Sequence, residues 1–298
     1  MAKLLFKFLA VSILLGEVGA ARAAAEGVQL DFDGARLEKI GLFDWFSSGD
    51  QTAATVTPAD VADPIILVVG LDLSSSNPLI APNSDLRAKA AKWVQEMIAG
   101  TADQLLPPLP VGSMILVRTF GDADPTHQGL LEFEKLKSII IVDRNTRPIA
   151  AKRIGEIIAN VPQSMAKSGI KPQGATYVVG FLADVAREVK EADDKYHREL
   201  QKNIFRREFK FRTKVVLLSD GIECSPSFDF ENAKSTKLPD PYERFHQCEE
   251  LSIYGLAAGG PGCGNAPIRD RVVRFNRVYR AWDQWAKDAG CSRFSGKD

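Results

Sequence analysis

The chain has 298 residues, of which 45% are apolar and 26% charged, enough apolar material to bury a full-sized core and too mixed for a disordered or fibrous protein. Its 38 basic and 38 acidic residues balance, so no overall excess of Lys and Arg is available to neutralise nucleic-acid phosphates. Any electrostatic partner therefore has to be met locally.

At the start of the chain Lys3 and Lys7 flank the beginning of an apolar run over 8–15, and small residues then lead to Ala21-Arg22-Ala23. This is the pattern of a secretory signal peptide, with cleavage expected after Ala23. The run is well short of the roughly 20 residues that a membrane-spanning helix needs. No cysteine follows the small residues to carry a lipid, and no second apolar stretch of spanning length occurs downstream. A periplasmic or secreted mature protein is expected, with a small negative net charge once Lys3, Lys7, Arg22 and Glu17 are removed. Residues 24–63 are the least patterned, punctuated by Gly, Ser, Thr and Pro, and are expected to be an N-terminal extension packed on one domain covering 64–298.

The continuous apolar run over 65–71 predicts a central strand buried on both faces. Leu86, Ala90, Trp93, Val94, Met97 and Ile98 then recur at helical spacing. Further strands are expected at 114–120 and 138–142, and a helix over 149–165. Leu182, Val185 and Val189 mark another helix, and a second apolar run at 215–219 another central strand. A strand is expected at 251–257. The stripe of Val272, Phe275, Tyr279, Trp282 and Ala286 predicts a last helix that Gly290 terminates. This alternation is that of a wound α/β sheet.

Four cysteines, Cys224, Cys248, Cys263 and Cys291, allow three pairings and contain no C-x-x-C, so an exported disulfide set fits them better than zinc.

The strand at 65–71 runs into Asp72-Leu73-Ser74-Ser75-Ser76, a D-x-S-x-S where an open α/β sheet binds its ligands. Alternation in this loop can aim Asp72, Ser74 and Ser76 at one point. A carboxylate with two hydroxyls suits a hard cation such as Mg²⁺. Alone the pattern is weak, because Ser after Asp is ordinary turn chemistry. Two further segments strengthen it: Gly174-Ala175-Thr176 opens the helix containing Leu182, and Leu218-Ser219-Asp220-Gly221 closes the strand at 215–219.

Together Asp72, Ser74, Ser76, Thr176 and Asp220 resemble the metal-ion-dependent adhesion site of the von Willebrand factor A domain family, and the similarity spans roughly residues 64–294. The resemblance implies a doubly wound, mainly parallel, Rossmann-like α/β sheet with one antiparallel edge strand and helices on both faces. Ser74 and Ser76 would bind Mg²⁺ (or Mn²⁺ or Ca²⁺) directly, Thr176 directly or through water, and Asp72 and Asp220 largely through water. A sixth position would accept a carboxylate from a protein partner. The family's sheet order also implies disulfides joining Cys224 to Cys263 and Cys248 to Cys291.

Two segments depart from the family pattern: the stiff apolar insert 77–83 on the rim of the site, and the long stretch 223–250 in place of a plain helix. Residues 195–214 mix basic side chains with Phe205, Phe209 and Phe211. They are expected to be a solvated helix end and connection, or alternatively a weak contact with an anionic surface. No enzyme is expected. The three histidines, His127, His197 and His246, lie far in sequence from the site, and no nucleophile elbow or phosphate loop is present. A metal-dependent phosphatase would need a second Asp where Ser74 stands. A metal-free structural or assembly role is the remaining alternative.

Overall fold

The computed structural model describes residues 29–30, 62–102, 106–121, 138–141, 143–200, 208–225, 228–230, 237–260 and 270–298. The expected leader at 1–23, most of the extension at 24–63, His127, Val142, Phe205 and Cys263 lie outside the described residues.

The strands are β1 (Gln29–Leu30), β2 (Ile65–Asp72), β3 (Met114–Phe120), β4 (Ser138–Ile140), β5 (Arg212–Leu218), β6 (Cys224–Ser225), β7 (Phe228–Asp229), β8 (Cys248–Tyr254) and β9 (Phe294–Lys297). The main sheet has the order β1-β4-β3-β2-β5-β8-β9, and β6 and β7 form a small separate hairpin. From β3 to β9 every pairing is parallel, while β4 runs antiparallel to both β3 and β1. The one antiparallel strand is thus not at the outermost position, because Gln29 and Leu30 pair along its free side.

Helices cover both faces. On one side lie α1 (Asp85–Ala99), α2 (Thr146–Ala159) and α3 (Val161–Lys167), against Ile65, Leu67, Val69 and Leu71 of β2. On the other lie α4 (Val178–Leu200) and α5 (Arg271–Asp288), against Ile66 and Val68. Two-residue alternation along a fully buried strand therefore feeds two separate cores. The fold is a mixed α/β sheet, mainly parallel, with helices on both faces.

Local chemistry sets the element ends. Ser84 caps α1 by accepting from the Arg87 N–H at 3.3 Å, and Gly100 ends it at φ +82°. Asp270 caps α5 by accepting from the N–H groups of Val272 and Val273, and Gly290 follows it at φ +89°. The single helix expected over 149–165 is instead two. Pro162 has no N–H to donate into a continuing helix, so the chain breaks at Asn160 and α3 starts anew. The strand expected over 251–257 ends at Tyr254, where Gly255 adopts φ +95° and turns the chain.

Two aromatic residues of the basic stretch, Phe209 and Phe211, turn inward. Both are buried, and Arg212 and Lys214 reach Glu249 at 3.3 and 3.5 Å. A disulfide joins Cys248 at the start of β8 to Cys291 after α5. Cys224 is also disulfide-bonded. Among the described residues no helix is long and apolar enough to cross a membrane.

Candidate functional site

The connection after β2 passes through α1 on one face to β3, whereas β5 is entered from α4 on the other face. The winding therefore reverses between β2 and β5, which opens a crevice beyond their carboxyl ends. Register places Asp72 opposite Phe120, and Leu71 opposite Leu218, so the segments following β2, β3 and β5 emerge together.

Asp72 is fully buried, and both its oxygens are held. Oδ1 accepts from the Ser74 N–H at 2.8 Å, and Oδ2 accepts from the Ser219 hydroxyl at 2.6 Å. Beyond it the loop alternates: Ser74 is buried, Ser75 exposed and Ser76 half-buried. The Ser74 and Ser76 hydroxyl oxygens lie 3.2 Å apart. Asn77 ties the two strand ends together, with Nδ2 donating to the carbonyls of Asp72 at 2.7 Å and Leu218 at 3.1 Å.

Thr176 is buried in the segment leading to α4. That segment is stitched to the serine loop, since the Gln173 N–H donates to the Leu73 carbonyl at 3.0 Å and the Ser75 N–H to the Gln173 carbonyl at 2.7 Å. Thr176 itself exchanges two backbone hydrogen bonds with Cys224, of 3.0 and 2.8 Å. Asp220, fully buried at the end of β5, accepts from the Ile222 N–H through Oδ1 at 3.0 Å. The backbone of Gly259 packs directly against the Asp220 carboxylate and the Ser76 carbonyl, where a side chain would not fit. The Gly260 N–H donates to that same carbonyl at 3.0 Å.

Burial, and then the neighbouring Asp220 carboxylate, push the Asp72 carboxyl up to about 7, against the lowering effect of its hydrogen bonds from Ser219 and Ser74. Asp72 and Asp220 are electrostatic neighbours, Ser74 and Ser76 share the loop beyond Asp72, and the segment of Thr176 is joined to them through Gln173 and Cys224, so the residue types gathered at this end of the sheet are oxygen donors of the kind that suit a hard divalent cation. Among the described residues no group of three or more His, Cys, Asp and Glu side chains is placed to hold a metal, so any cation here would depend on the hydroxyls as well.

Two buried arginines clasp the rim. Arg87 of α1 donates to the carbonyls of Leu79, Ala81 and Pro82, so the insert 77–83 is a fixed wall beginning with a 3-10 turn at Pro78–Ile80. Arg274 of α5 donates to the carbonyls of Ala257, Gly259 and Gly260 on the other side. The stretch 223–250 leaves the site with the β6–β7 hairpin and packs against α5 through Phe230 and Leu238, with Trp285 Nε1 donating to the Pro239 carbonyl at 3.0 Å. His197 lies at the far end of α4, near Asp193 and stacked on Phe209.

Sequence reasoning missed Asn77, Ser219, Glu223 and Gly259. Ser219 stands beside Asp220 and was within reach as part of the same turn. The other three act through contacts between distant segments, which no local spacing signals.

No family model matches the chain, and no curated protein matches it. Among solved structures it is similar to the human COPII-coat protein Sec24c, with a TM-score of 0.34 and 9% identity over 85% of this chain and 34% of that one. The chain spans about a third of that protein's length, and a likeness at this level carries no argument about family or function.

Proposed function

We propose that the chain is an exported, metal-dependent protein-binding module of the von Willebrand factor A type, in which Asp72, Ser74, Ser76, Thr176 and Asp220 hold a divalent ion of the Mg²⁺ class. The observation that supports this reading is that three sequence-distant segments carrying oxygen-bearing side chains meet at the carboxyl end of a parallel sheet. Asp72 and Asp220 crowd negative charge into a buried place, which a cation would offset. A bound divalent ion would supply a positive centre with a position open to an anionic group. The protein's own part is to fix the donors. Asn77 and Ser219 lock Asp72, Gly259 lets its turn lie against Asp220, and Arg87 and Arg274 hold the two walls between which a partner's carboxylate would enter. Export is supported by the leader pattern at 1–23 and by the Cys248–Cys291 disulfide, a bond that persists in oxidising compartments.

The test is thermal unfolding of the oxidised chain in Mg²⁺ or EDTA, beside Asp72→Ala and Ser74→Ala. Binding to the folded state raises stability by about 2.7 kcal/mol at a hundredfold excess over Kd. The expected result is a Mg²⁺-dependent rise in Tm for the wild type and none for either variant. Identical behaviour of wild type and variants would sink the metal reading and leave a metal-free assembly role.

A further inference from the structure

We propose that Glu223 is a positioning residue for Thr176, setting the metal affinity of the site from a place three residues beyond Asp220. This inference rests on the metal-dependent reading above. Glu223 is buried, and its Oε2 accepts from the Val179 N–H at 2.9 Å, with a further hydrogen bond from the Val178 N–H. These are amides of the first turn of α4, which lack partners within the helix. The first turn of α4 carries no acidic residue of its own, although a 23-residue helix presents substantial positive charge at that end. Glu223 supplies the missing acceptor from another part of the chain.

The neighbouring residue completes the hold. Cys224 exchanges both backbone hydrogen bonds with Thr176, at 3.0 and 2.8 Å. The Glu223-Cys224 pair thus grips the segment at Thr176 and again at Val179, one grip on each side of the turn into α4. The same short stretch begins with Asp220, whose Oδ1 accepts from the Ile222 N–H at 3.0 Å. Two donors from segments 44 residues apart, counting Val179 to Glu223, are therefore held in one frame. Without the Glu223 carboxylate the first-turn amides lose their acceptor, the start of α4 loosens, and the segment that carries Thr176 is held less firmly beside the stretch that carries Asp220.

The experiment has two arms on the oxidised chain, with Glu223→Ala, Glu223→Gln and, as a control for general destabilisation, Val94→Ala on the opposite face of the sheet. In EDTA, amide hydrogen exchange is followed at Thr176, Tyr177, Val178 and Val179. Glu223→Ala should speed exchange there without changing the 73–77 loop, and Glu223→Gln, which keeps a carbonyl acceptor, should restore it. In the second arm Mg²⁺ is titrated by calorimetry well below Tm. Glu223→Ala should weaken binding by about 10- to 100-fold, the range for partners that orient a metal's donors, while Val94→Ala and Glu223→Gln stay near wild type. Unchanged exchange in Glu223→Ala, or a loss of affinity no greater than that of Val94→Ala, overturns the proposal. A wild type that binds no Mg²⁺ overturns the metal reading instead, and the exchange arm then still decides whether Glu223 holds the Thr176 segment.

Discussion

Ser219 donates its hydroxyl hydrogen to Asp72 Oδ2 at 2.6 Å and accepts from the Gly221 N–H at 3.0 Å, both inside the protein. Ser219→Ala leaves a buried carboxylate oxygen and a buried amide short of a partner and should cost about 1–3 kcal/mol in urea unfolding. Gly259→Ala should cost a similar amount, about 1–3 kcal/mol by overpacking, because its methyl would meet the Asp220 carboxylate and the Ser76 carbonyl rather than a flexible side chain. It should also abolish the Mg²⁺ response in Tm. Glu223 carries a pH prediction. Burial pushes its carboxyl up to about 7 from an ordinary 4.5, against the hydrogen bonds from Val179 and Val178. The folded chain then keeps a proton over a range where the unfolded chain has lost it. Stability is fully present below the unfolded value and falls as pH rises through the folded one. In EDTA, unfolding free energies at pH 5 and pH 8 should show the wild type losing on the order of 2 kcal/mol more than Glu223→Gln. Equal losses would show that Glu223 does not titrate differently on folding.

At the scale of elements, the walls of the site are held by side chains from helices rather than by their own turns. Arg87→Met keeps an unbranched apolar stem but removes donors to three carbonyls of 79–82. It should lower stability by about 1–3 kcal/mol and open 77–83 to limited proteolysis, while α1 itself, capped by Ser84, persists by circular dichroism. A 77–83 segment as resistant as in the wild type would mean that the 3-10 turn is self-supporting. The seam between β2 and α4 is equally tight at Gly70, where a Cβ would come within 2.8 Å of both Leu217 and Phe181. Phe181 in turn stacks on Phe120 at 4.4 Å, so the strand leading to Asp72, the strand leading to Gly121 and the helix following Thr176 share one packed contact.

For the molecule as a whole, the Cys248–Cys291 disulfide closes a segment with a sequence separation of 43 that includes β8 and α5. Chain-entropy reasoning gives such a closure about 4 kcal/mol. The double variant Cys248→Ser with Cys291→Ser should therefore unfold at a markedly lower denaturant concentration. Its Mg²⁺ response should survive, since the bridge lies at the opposite end of β8 from Gly259. Loss of that response in a folded double variant would show that the far end of the sheet controls the site.

Read by itself, the sequence determined the strands β2, β3 and β5, the existence of β8 and the helices α1, α4 and α5 in their order, while it read α2 and α3 as one helix, because continuous apolar runs and three-to-four spacing are local statements about burial. It also marked Asp72, Ser74, Ser76, Thr176 and Asp220, since each follows or precedes a strongly patterned element. The break at Asn160 was legible in Pro162, although apolar spacing on both sides concealed it. Only the tertiary structure decided that Asn77 bridges two strand ends, that Glu223 serves a helix 44 residues earlier, and that Arg87 and Arg274 close the rim. Those roles come from hydrogen bonds that buried groups need and that only distant parts of the chain can supply. The pairing of Gln29 and Leu30 along β4 was hidden for the same reason. A strand edge accepts whatever backbone reaches it, and the side-chain pattern of a two-residue strand carries almost no signal.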